Sequence, residues 1–468
     1  MGVTQGRRDE ASSGKGITVS MQSLGEQTVD LLARLVRLGC VNDLTADSGG
    51  EERAADLLEE FFAGLPVSIE RVTPHPGRTT LVVTVEGSAP HGDGTPLTLV
   101  GHTDVVPVDE AKWTRDPFGA QIEDGVMWGR GTVDMLHLTA AMAVVTRQVA
   151  RRAQAGEPPA CSLVFVAAAD EEARGGLGVP WIGENRPDAF PWDAALSEMG
   201  GAHIRGRRGG DGVVVVVGEK GAAQRRLHIR GDAGHGSVPL GRTSAVERLA
   251  QVSAALSSAR WPAATDEVWA SFVRAFEFDE ATDKSLIDGT YEGDYAEFGD
   301  LAAFAHAISH VTVAQTVARS GGPINVMPSH ATLELDIRTL PGIDDDDVDA
   351  AIAAVLGDLA EHVTIERLLS EPATASSIDT NLYRVIEAAL KRRYPGARVV
   401  PVLMPGGTDL RVARRRGGIG YGFGAYDSGA SLGHVYSQLH AHDEHIALQD
   451  VRATAEVLCE VATTYLGA

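Results

Sequence analysis

The sequence predicts an α/β fold with helices on both faces of a sheet and a second domain inserted into the first. Predicted helices and short apolar strands alternate over most of the chain, which is typical of a sheet covered by helices. Within 220–340 the pattern changes, because segments 225–230 and 331–338 both alternate apolar and polar residues and would pair naturally. We therefore expect a main domain of residues 20–219 and 341–468 and an inserted domain of residues 220–340.

The spacing of apolar residues predicts the elements in chain order. Helical spacing occurs over 22–38 and 51–65, and each stretch stops near a glycine. Residues 213–217 are all valine, which indicates a strand buried on both faces. The stretch 261–310 is acidic, and we expect it to be irregular. The other predicted strands are 67–72, 79–86, 97–100, 126–129, 162–168, 194–196 and 398–403, and the other predicted helices are 136–152, 243–257, 347–362, 379–394 and 448–465.

Composition excludes several classes of partner. The 468 residues include 64 acidic and 41 basic ones, which gives a formal net charge of −23. An acidic surface disfavours nucleic acid and anionic membranes as partners, although a local basic pocket for a substrate carboxylate stays compatible with it. No apolar run reaches about 18 residues, so we predict no membrane span.

Cysteine usage and the first residues bear on location. The three cysteines are odd in number and widely spaced, so we expect no disulfide framework, and a reducing cytoplasm is the simplest compartment. The first residues lack the apolar segment of a secretory signal, and we expect a disordered tail at residues 1–19.

The segment 97–107, LTLVGHTDVVP, carries the first candidate site. Residues two apart on an extended chain point the same way, so His102 and Asp104 can reach one site at the carboxyl end of a strand. Ligands bind at that end of open α/β sheets. A metal-bound histidine usually has its other ring nitrogen fixed by a carboxylate or carbonyl, and Asp104 is placed to do this. The alternative is a strand followed by a polar turn.

Residues able to bind a cation follow several predicted strands. A mixed set of histidine and carboxylate suits zinc, and also cobalt or manganese. A catalytic zinc normally has three protein ligands and an open position, so five ligands fit two metals if one carboxylate bridges them. Asp134, in a tight loop, is the candidate bridge. The set is His102, Asp134, Glu172, Glu198 and His440.

Two assignments stay open on the residues themselves. Glu171 and Glu172 point apart, so one can ligate while the other stays free as a base, although such pairs are often simply solvated. The acidic pair at 443–444 could belong to a metal site, or it could equally lie in the first turn of the last helix, where the helix dipole favours acidic residues. The second open choice is among three histidines ahead of that helix, His440, His442 and His445.

Eight motifs occur in an order that resembles one enzyme family. They are GHTDVVP, GRGTVDM, DEEARGGLG, SEMGG, GHGSVP, NVMP with DIR, GGTD and HAHDE. Over roughly residues 22–466 the chain resembles the co-catalytic zinc amidohydrolase/peptidase family of aminoacylase, acetylornithine deacetylase, succinyl-diaminopimelate desuccinylase, glutamate carboxypeptidase and carboxypeptidase S. The resemblance implies a mixed-sheet zinc-peptidase catalytic domain with an inserted α+β lid and dimerisation domain.

The resemblance also implies a role for each candidate residue. The implied ligands are His102 and Glu198 for one zinc, Glu172 and His440 for the other, and Asp134 as the bridge. The implied catalytic residues are Glu171 as general base, Asp104 as orienting carboxylate, and His235 as the histidine that reaches a neighbouring active site and polarises the scissile carbonyl. The implied substrate-binding residues are Asn325, Arg338, Gly407 and Thr408. As alternatives, three of these polar residues would serve only turns or the surface, namely His235, Asn325 and Arg338.

Together these features predict a homodimeric hydrolase with two zinc ions per chain. Its substrate would be a small N-acyl amino acid or dipeptide with a free carboxylate. A catalytically inactive binding or scaffold protein of the same fold is the alternative, and a metal phosphoesterase is disfavoured because no phosphate-cradling loop is found. One departure leaves the substrate open, since Leu136 and His137 stand where the family commonly has Lys-Gly. The SEMGG and EKG segments look closest to the carboxypeptidase S and acylamino-acid branch.

Overall fold

The computed structural model describes residues 23–89 and 94–467, so the tail predicted at residues 1–19 lies outside the described residues. The helices are α1 (Leu24–Leu38), α2 (Glu52–Phe62), α3 (Leu136–Gln154), α4 (Val179–Asn185), α5 (Ala245–Ser258), α6 (Glu267–Ala275), α7 (Glu280–Ile287), α8 (Ala302–Ser309), α9 (Asp345–Leu356), α10 (Asn381–Arg393), α11 (Leu410–Arg415), α12 (Leu432–Gln438) and α13 (Leu448–Leu466). Across those two ranges, no helix is both long and apolar enough to cross a membrane.

The described strands form a large sheet of ten strands, a smaller sheet of five, a sheet of three short strands and one of two. They are β1 (Ser68–His75), β2 (Arg78–Val85), β3 (Leu97–His102), β4 (Gln121–Glu123), β5 (Val126–Trp128), β6 (Leu163–Ala168), β7 (Ala194–Ser197), β8 (His203–Arg205), β9 (Asp211–Glu219), β10 (Gly221–Ala222), β11 (Arg225–Arg230), β12 (Gly234–His235), β13 (Thr312–Ser320), β14 (Val326–Met327), β15 (His330–Thr339), β16 (Val363–Arg367), β17 (Thr374–Ala375), β18 (Arg398–Met404), β19 (Ile419–Gly422) and β20 (His445–Ala447).

The large sheet is mixed and brings the ends of its central strands together. Its order is β1-β2-β6-β3-β7-β19-β9-β17, and β8 and β18 also pair with β9. β3 runs parallel to both of its neighbours, β6 and β7. The carboxyl ends of these three strands therefore lie side by side, where the chain continues into His102, Asp170 and Glu198.

Helices cover both faces of the large sheet, as predicted. Successive residues of a strand point to opposite faces. Along β6, Phe165 belongs to the buried core that includes α1, α3 and α13, whereas Val166 belongs to a second core that includes α4 and α11. A strand buried on both faces needs apolar residues at every position, which explains the unbroken run in β6.

A smaller domain is built on a second sheet. Its strand order is β10-β15-β11-β16, with β13 also paired to β15, and helices α5 and α9 contribute to its separate buried core. β11 and β15 are antiparallel with Leu227 opposite Leu333, so the predicted pairing of 225–230 with 331–338 is confirmed. We refer to these five strands and two helices as the smaller domain.

The boundary predicted at residue 340 needs a correction. β16 pairs with β11, and α9 places Val348 and Ile352 in the core of the smaller domain. The segment 345–367 therefore belongs to the smaller domain instead of the main one. A short strand that follows a helix gives no local sign of which sheet it joins, because its partner is distant in the sequence.

The expectation that 261–310 is irregular is wrong. The segment contains α6, α7 and α8, and the Asp266 and Asp279 side chains cap the first two by accepting backbone N–H hydrogen bonds. Trp269 and Phe304 are buried in the core of the large sheet, so this part of the chain packs onto the main domain. Helices of 8 or 9 residues are too short for their apolar period to stand out.

β5 lies outside the large sheet and positions two motifs. It pairs with β4 and with β20 in a small antiparallel sheet. Because β5 leads into the GRGTVDM loop and β20 follows the HAHDE segment, this pairing brings residues 129–134 next to residues 440–444.

Candidate metal centre

His102 and Asp134 form the centre of the candidate site. β3 ends at His102, whose ring Nε2 lies 3.1 Å from Asp134 Oδ1. The other ring nitrogen, Nδ1, lies 2.9 Å from the backbone carbonyl oxygen of Asp104. A carbonyl only accepts hydrogen bonds, so Nδ1–H donates to it and fixes the ring. Nε2 then faces the Asp134 carboxylate, an arrangement that a proton or a cation between them would satisfy.

Asp104 orients His102 with its backbone and not with its carboxylate, which corrects the prediction. The nearer carboxylate oxygen is 3.7 Å from His102 Nδ1. The carboxylate instead accepts hydrogen bonds from the backbone N–H groups of Glu171 and Glu172, at 3.2 and 3.1 Å, and from Asn42 Nδ2 at 2.8 Å. Asp104 therefore fixes the acidic pair. Asn42 was not among the predicted site residues, because no local sequence feature links it to residues so far along the chain.

Asp134 faces two histidines, one with each carboxylate oxygen. Oδ1 lies toward His102, and Oδ2 lies 3.4 Å from Nε2 of His440. The same nitrogen of His440 is 3.1 Å from Glu172 Oε2. This geometry matches a carboxylate placed between two cations. The peptide bond between Asp134 and Met135 is cis.

The structure distinguishes the three histidines near residue 440. His440 faces the acidic residues and has a left-handed backbone conformation, with φ of 59°. A non-glycine residue held in this conformation is frequently found at a functional site. His445 instead stacks on Trp128 with ring centres 4.3 Å apart, and His442 is exposed.

Glu171 and Glu198 lie on the other side of His102. The candidate ligand atoms form two groups that share His102, and within each group all atoms lie within 4.8 Å of one another. One group adds Asp134 and Glu172, and the other adds Glu171 and Glu198. Glu198 Oε2 is 3.8 Å from His102 Nε2. Glu171, the candidate base, is therefore close enough to act on a molecule bound at this side.

Glu444 fixes the loop that carries Asp134, a role that was not predicted from the sequence. Its fully buried carboxylate accepts hydrogen bonds from Arg130 Nη1 at 2.7 Å and from three backbone N–H groups, those of Gly131, Val133 and Asp134, at 2.9, 2.6 and 3.1 Å. Glu444 precedes α13 by several residues, so the alternative of a first-turn acid is wrong. Charge-assisted hydrogen bonds of this kind hold a loop firmly in place.

Burial raises the pKa of three carboxyl groups in the site, and neighbouring carboxylates add to the effect. The pKa of Glu172 rises to about 7 and that of Glu198 to about 8. The pKa of Glu171 lies well above its ordinary value, because of burial and then the nearby Glu198. Taking carboxylates out of water disfavours their charged form.

The pKa shifts of the two histidines and of Asp134 favour the charged form of each group. Hydrogen bonds to Asp134 and Glu172 raise the pKa of His440 to about 10. Burial opposes protonation of His102, but hydrogen bonds to Asp134 and Glu198 hold its pKa well above the ordinary value. Burial also opposes ionisation of Asp134, yet its bonds to the two histidines hold its pKa well below the ordinary value. The cluster therefore requires positive charge, from protons or from metal ions.

The donor set fits a pair of divalent cations. Imidazole and carboxylate ligands suit zinc, cobalt or manganese. Asp134 offers one oxygen to each side, and Glu172 Oε1 is buried without a hydrogen-bond partner in the described part of the chain. A buried carboxylate oxygen that lacks a donor is well suited to a cation.

Two cavities adjoin the carboxylates and contain several predicted substrate-binding residues. Gly407 and Thr408 line a cavity of about 320 Å³ together with the acidic residues. Arg338 lines a second cavity of about 290 Å³, and its Nε and Nη2 donate hydrogen bonds to Asp336 at 3.0 and 3.3 Å. Glu171 lines both cavities.

The structure does not bring His235 and Asn325 to these cavities. They lie side by side where β12 pairs with β14, and the Gly236 N–H donates to the Asn325 carbonyl at 2.7 Å. The exposed His235 ring has its Nδ1 2.7 Å from Ser237 Oγ. Among the residues that the structure describes, neither of the two lines a cavity that contains Glu171.

Buried charges behind the 405–408 loop were not predicted. The Glu219 carboxylate accepts hydrogen bonds from the Thr408 backbone N–H and from Thr374 Oγ1, and it pairs with Arg414. The buried carboxylate of Asp409 has no hydrogen-bond partner among the described residues, and burial raises its pKa to about 7. The charged stretch that follows GGTD in the sequence could not predict these buried charges, because an exposed helix face has the same pattern.

Comparison with known proteins gives the same fold. The M20 family metallo-carboxypeptidase Sso-CP2 from Sulfolobus solfataricus superposes with a TM-score of 0.67 at 19% identity, covering 94% of this chain and all of that chain. The YXEP protein of Bacillus subtilis, described as a dinuclear metal binding peptidase from the M20 family, superposes with a TM-score of 0.58 at 14% identity, over 95% of this chain and 99% of that one.

Sequence comparison identifies curated relatives that are longer than the matched region. Probable carboxypeptidase S-like 2 of Dictyostelium discoideum is 27% identical over 327 residues, or 68% of this chain. A succinyl-diaminopimelate desuccinylase of Xanthomonas oryzae pv. oryzae is 35% identical over 180 residues, or 37% of this chain. The alignments span 62% and 45% of the lengths of these two relatives.

The family assignment rests on most of the chain. Residues 98–464 match the sequence profile of Peptidase family M20/M25/M40. The match begins within β3, which carries His102, and ends within α13, so it contains every candidate ligand. This chain belongs to peptidase family M20/M25/M40.

Proposed function

We propose that this protein is a metal-dependent hydrolase that cleaves an amide bond in a small N-acyl amino acid or dipeptide with a free carboxylate. The observation that carries the proposal is the position of Asp134, whose two oxygens lie 3.1 and 3.4 Å from the histidines at 102 and 440. Three further carboxylates surround these groups, and a cavity of suitable size opens onto them.

The proposed ligands divide into two groups around one bridge. His102 and Glu198 would hold one ion, Glu172 and His440 would hold the other, and Asp134 would contribute to both. Zinc is the proposed metal, with cobalt or manganese as substitutes. When bound, divalent ions of this kind polarise a carbonyl and lower the pKa of a water molecule.

Glu171 is the proposed general base. It takes a proton from the attacking water and passes it to the leaving nitrogen. Its position beside His102 and Glu198 supports this role, because a general base has to lie within reach of the water that it deprotonates. The hydrogen bond from its backbone N–H to Asp104 fixes the segment that carries it.

Arg338 is the proposed partner of the substrate carboxylate, with Gly407 and Thr408 lining the space beside it. The guanidinium group suits a carboxylate, because its donors match the two oxygens. In the structure it already pairs with Asp336, so a substrate carboxylate would bind to its remaining donors or displace that residue.

His235 is proposed to polarise the reacting carbonyl in the site of a partner subunit, and Asn325 is proposed to bind the substrate. The dimer proposal is supported by exposed apolar side chains beside them, including Leu240, which is 95% exposed, and Ile324, which is fully exposed. A small peptide or acylamino acid is the proposed partner molecule. A cytoplasmic location is proposed from the sequence, on the basis of its few and widely spaced cysteines.

Metal analysis and a substrate panel test the proposed function. Protein purified without chelator is analysed for bound metal and assayed with N-acyl amino acids and dipeptides, in parallel with Glu171→Gln. We expect two metal ions per chain and hydrolysis by the natural sequence only. Absence of metal and of hydrolysis would instead favour the binding or scaffold protein.

A further inference from the structure

Two cavities meet at the candidate site. The residues common to both are Glu171, Glu172, Gly406, Gly407 and His440. The amide that is to be cleaved has to lie at this junction, because the proposed base and two of the proposed ligands are there. The two halves of the substrate would then extend into different cavities, so the walls of each cavity define the chemistry of one half.

The two walls differ in polarity. Apart from the proposed ligands, which include His440, the proposed base and the 406–408 loop, the larger cavity is lined by Met199, Met404, Tyr436 and Leu439. None of its described lining residues is lysine or arginine. Among the described residues, the other cavity is lined by five lysine and arginine residues, Arg174, Lys220, Arg338, Arg411 and Arg415, against two acidic residues, Glu219 and Glu371, besides the shared pair Glu171 and Glu172. We call these the apolar cavity and the basic cavity.

The apolar wall is held in place by the main domain. Tyr436, on α12, packs edge-to-face on Phe304 with ring centres 5.2 Å apart. Phe304 is buried in the core, so the tyrosine ring cannot move inward, and it stays 36% exposed. Met404 ends β18 and is buried. Met199 directly follows Glu198 and has a left-handed backbone, with φ of 76°.

We propose that the apolar cavity binds an uncharged apolar group, so that the substrate is an amide joining that group to an anionic one. The inference rests on the proposed function and names its substrate class. An anionic group at the wall of the apolar cavity would lose its hydration without a free basic side chain to pair with, because His440 is the one basic residue among the described lining residues and its Nε2 already faces Asp134 and Glu172. A cationic group would lose its hydration against methionine, leucine and tyrosine. An alkyl or aromatic group loses nothing there, and its burial is favourable.

Matched acyl groups on one amino acid test the inference. N-butanoyl and N-succinyl derivatives have the same number of acyl carbons, but only the second carries a charge. We expect kcat/KM to favour the butanoyl compound and to rise from acetyl to butanoyl by about fourfold per methylene, equivalent to ~0.8 kcal/mol. A preference for the succinyl compound, or a flat series, would overturn the inference.

Variants of Tyr436 connect that preference to the apolar cavity. Tyr436→Gln should reduce the butanoyl-to-succinyl ratio about tenfold, whereas Tyr436→Phe, which keeps the ring, should preserve it. Ile378→Gln is the matched control, since Ile378 is 37% exposed and lines neither cavity. An unchanged ratio in Tyr436→Gln would contradict the assignment of this wall.

Calorimetry separates this inference from the proposed function. Binding of N-butanoyl and N-succinyl amino acid to the Glu171→Gln variant is measured without turnover, and tighter binding of the butanoyl compound is expected. If the natural sequence hydrolyses no amide, the proposed function fails and the binding preference still decides the inference. If hydrolysis occurs and the succinyl compound binds at least as tightly, the inference fails and the proposed function stands.

Discussion

The carboxylate of Glu444 accepts a hydrogen bond from the backbone N–H of Asp134 at 3.1 Å, across 310 residues of sequence. The same carboxylate also binds Arg130 and two more backbone N–H groups of the loop. The position of the Asp134 carboxylate between His102 and His440 therefore depends on Glu444, which is not itself a proposed ligand. Second-layer contacts of this kind often decide how well a metal site is formed.

Replacing Glu444 should weaken the site without removing a ligand. In Glu444→Gln an amide NH₂ replaces one acceptor oxygen, so buried N–H donors lose their partner. We expect metal affinity to fall by about 10- to 100-fold and the free energy of unfolding by about 1–3 kcal/mol. Metal titration and urea denaturation measure the two effects. Glu60→Gln is the control, because Glu60 is exposed, and equal metal affinity in both variants would contradict the prediction.

Glu171→Gln should abolish most of the turnover while metal binding persists. An amide cannot accept the proton from water, and loss of a general base typically costs about 10²–10⁴ in rate. The measurement is kcat on any hydrolysed substrate, with metal content determined on the same sample. The exposed Glu184 provides the control variant Glu184→Gln. Full turnover in Glu171→Gln would refute the base assignment.

His440→Ala should lower the metal content where His442→Ala does not. His440 Nε2 lies 3.1 Å from Glu172 and 3.4 Å from Asp134, whereas His442 lines neither of the two cavities that contain Glu171. We expect the first variant to bind about one metal ion per chain instead of about two, because one ion loses a ligand. Elemental analysis after dialysis measures this. Equal loss in both variants would show that the histidine was wrongly chosen.

Stability should decrease between pH 6.5 and about 4 in part because of His310. Burial lowers the pKa of His310 from 6.5 to about 4, with a further contribution from His306. In this window the unfolded chain binds the proton and the folded protein does not, so the free energy of unfolding decreases as the pH falls from 6.5 toward 4. Urea denaturation at several pH values should give a shallower dependence for His310→Asn. An identical dependence would contradict the prediction.

Complementation tests whether His235 acts on the partner subunit's site. Neither His235→Ala nor Glu171→Gln should turn over substrate efficiently when assayed separately. In a mixed dimer, one site would combine an intact Glu171 with an intact His235, so random mixing should restore about one quarter of the natural activity. Activity that stays at the level of the separate variants would show that His235 does not act in this way. Sedimentation of the natural protein independently measures the dimer.

Most helices and strands of the main domain could be predicted from local sequence patterns. The apolar period gave α1, α3 and α13 close to their observed bounds, and the positions of polar residues at strand ends indicated the edge where they meet. The candidate ligands were also accessible, because their residue types and motif order are local features. The helices within 261–310 were missed because each is only about two turns long.

The assignments that went wrong or stayed open depend on contacts between distant residues. Asp104 was expected to orient a histidine with its carboxylate, but that carboxylate binds the backbone of Glu171 and Glu172. The choice of His440 could not be made from local spacing, because three histidines lie within six residues. β16 joins the smaller domain by pairing with β11, which precedes it by more than 100 residues, so no local pattern could predict that pairing.

The sequence by itself determined the class of fold, the strand ends and the chemical types gathered there, because periodicity and motif order are properties of neighbouring residues. Only the tertiary structure decided which oxygen faces which nitrogen, which buried acid fixes the Asp134 loop, and which wall of the site is apolar. Those relationships join residues far apart in the chain, and the path of the backbone between them sets their geometry.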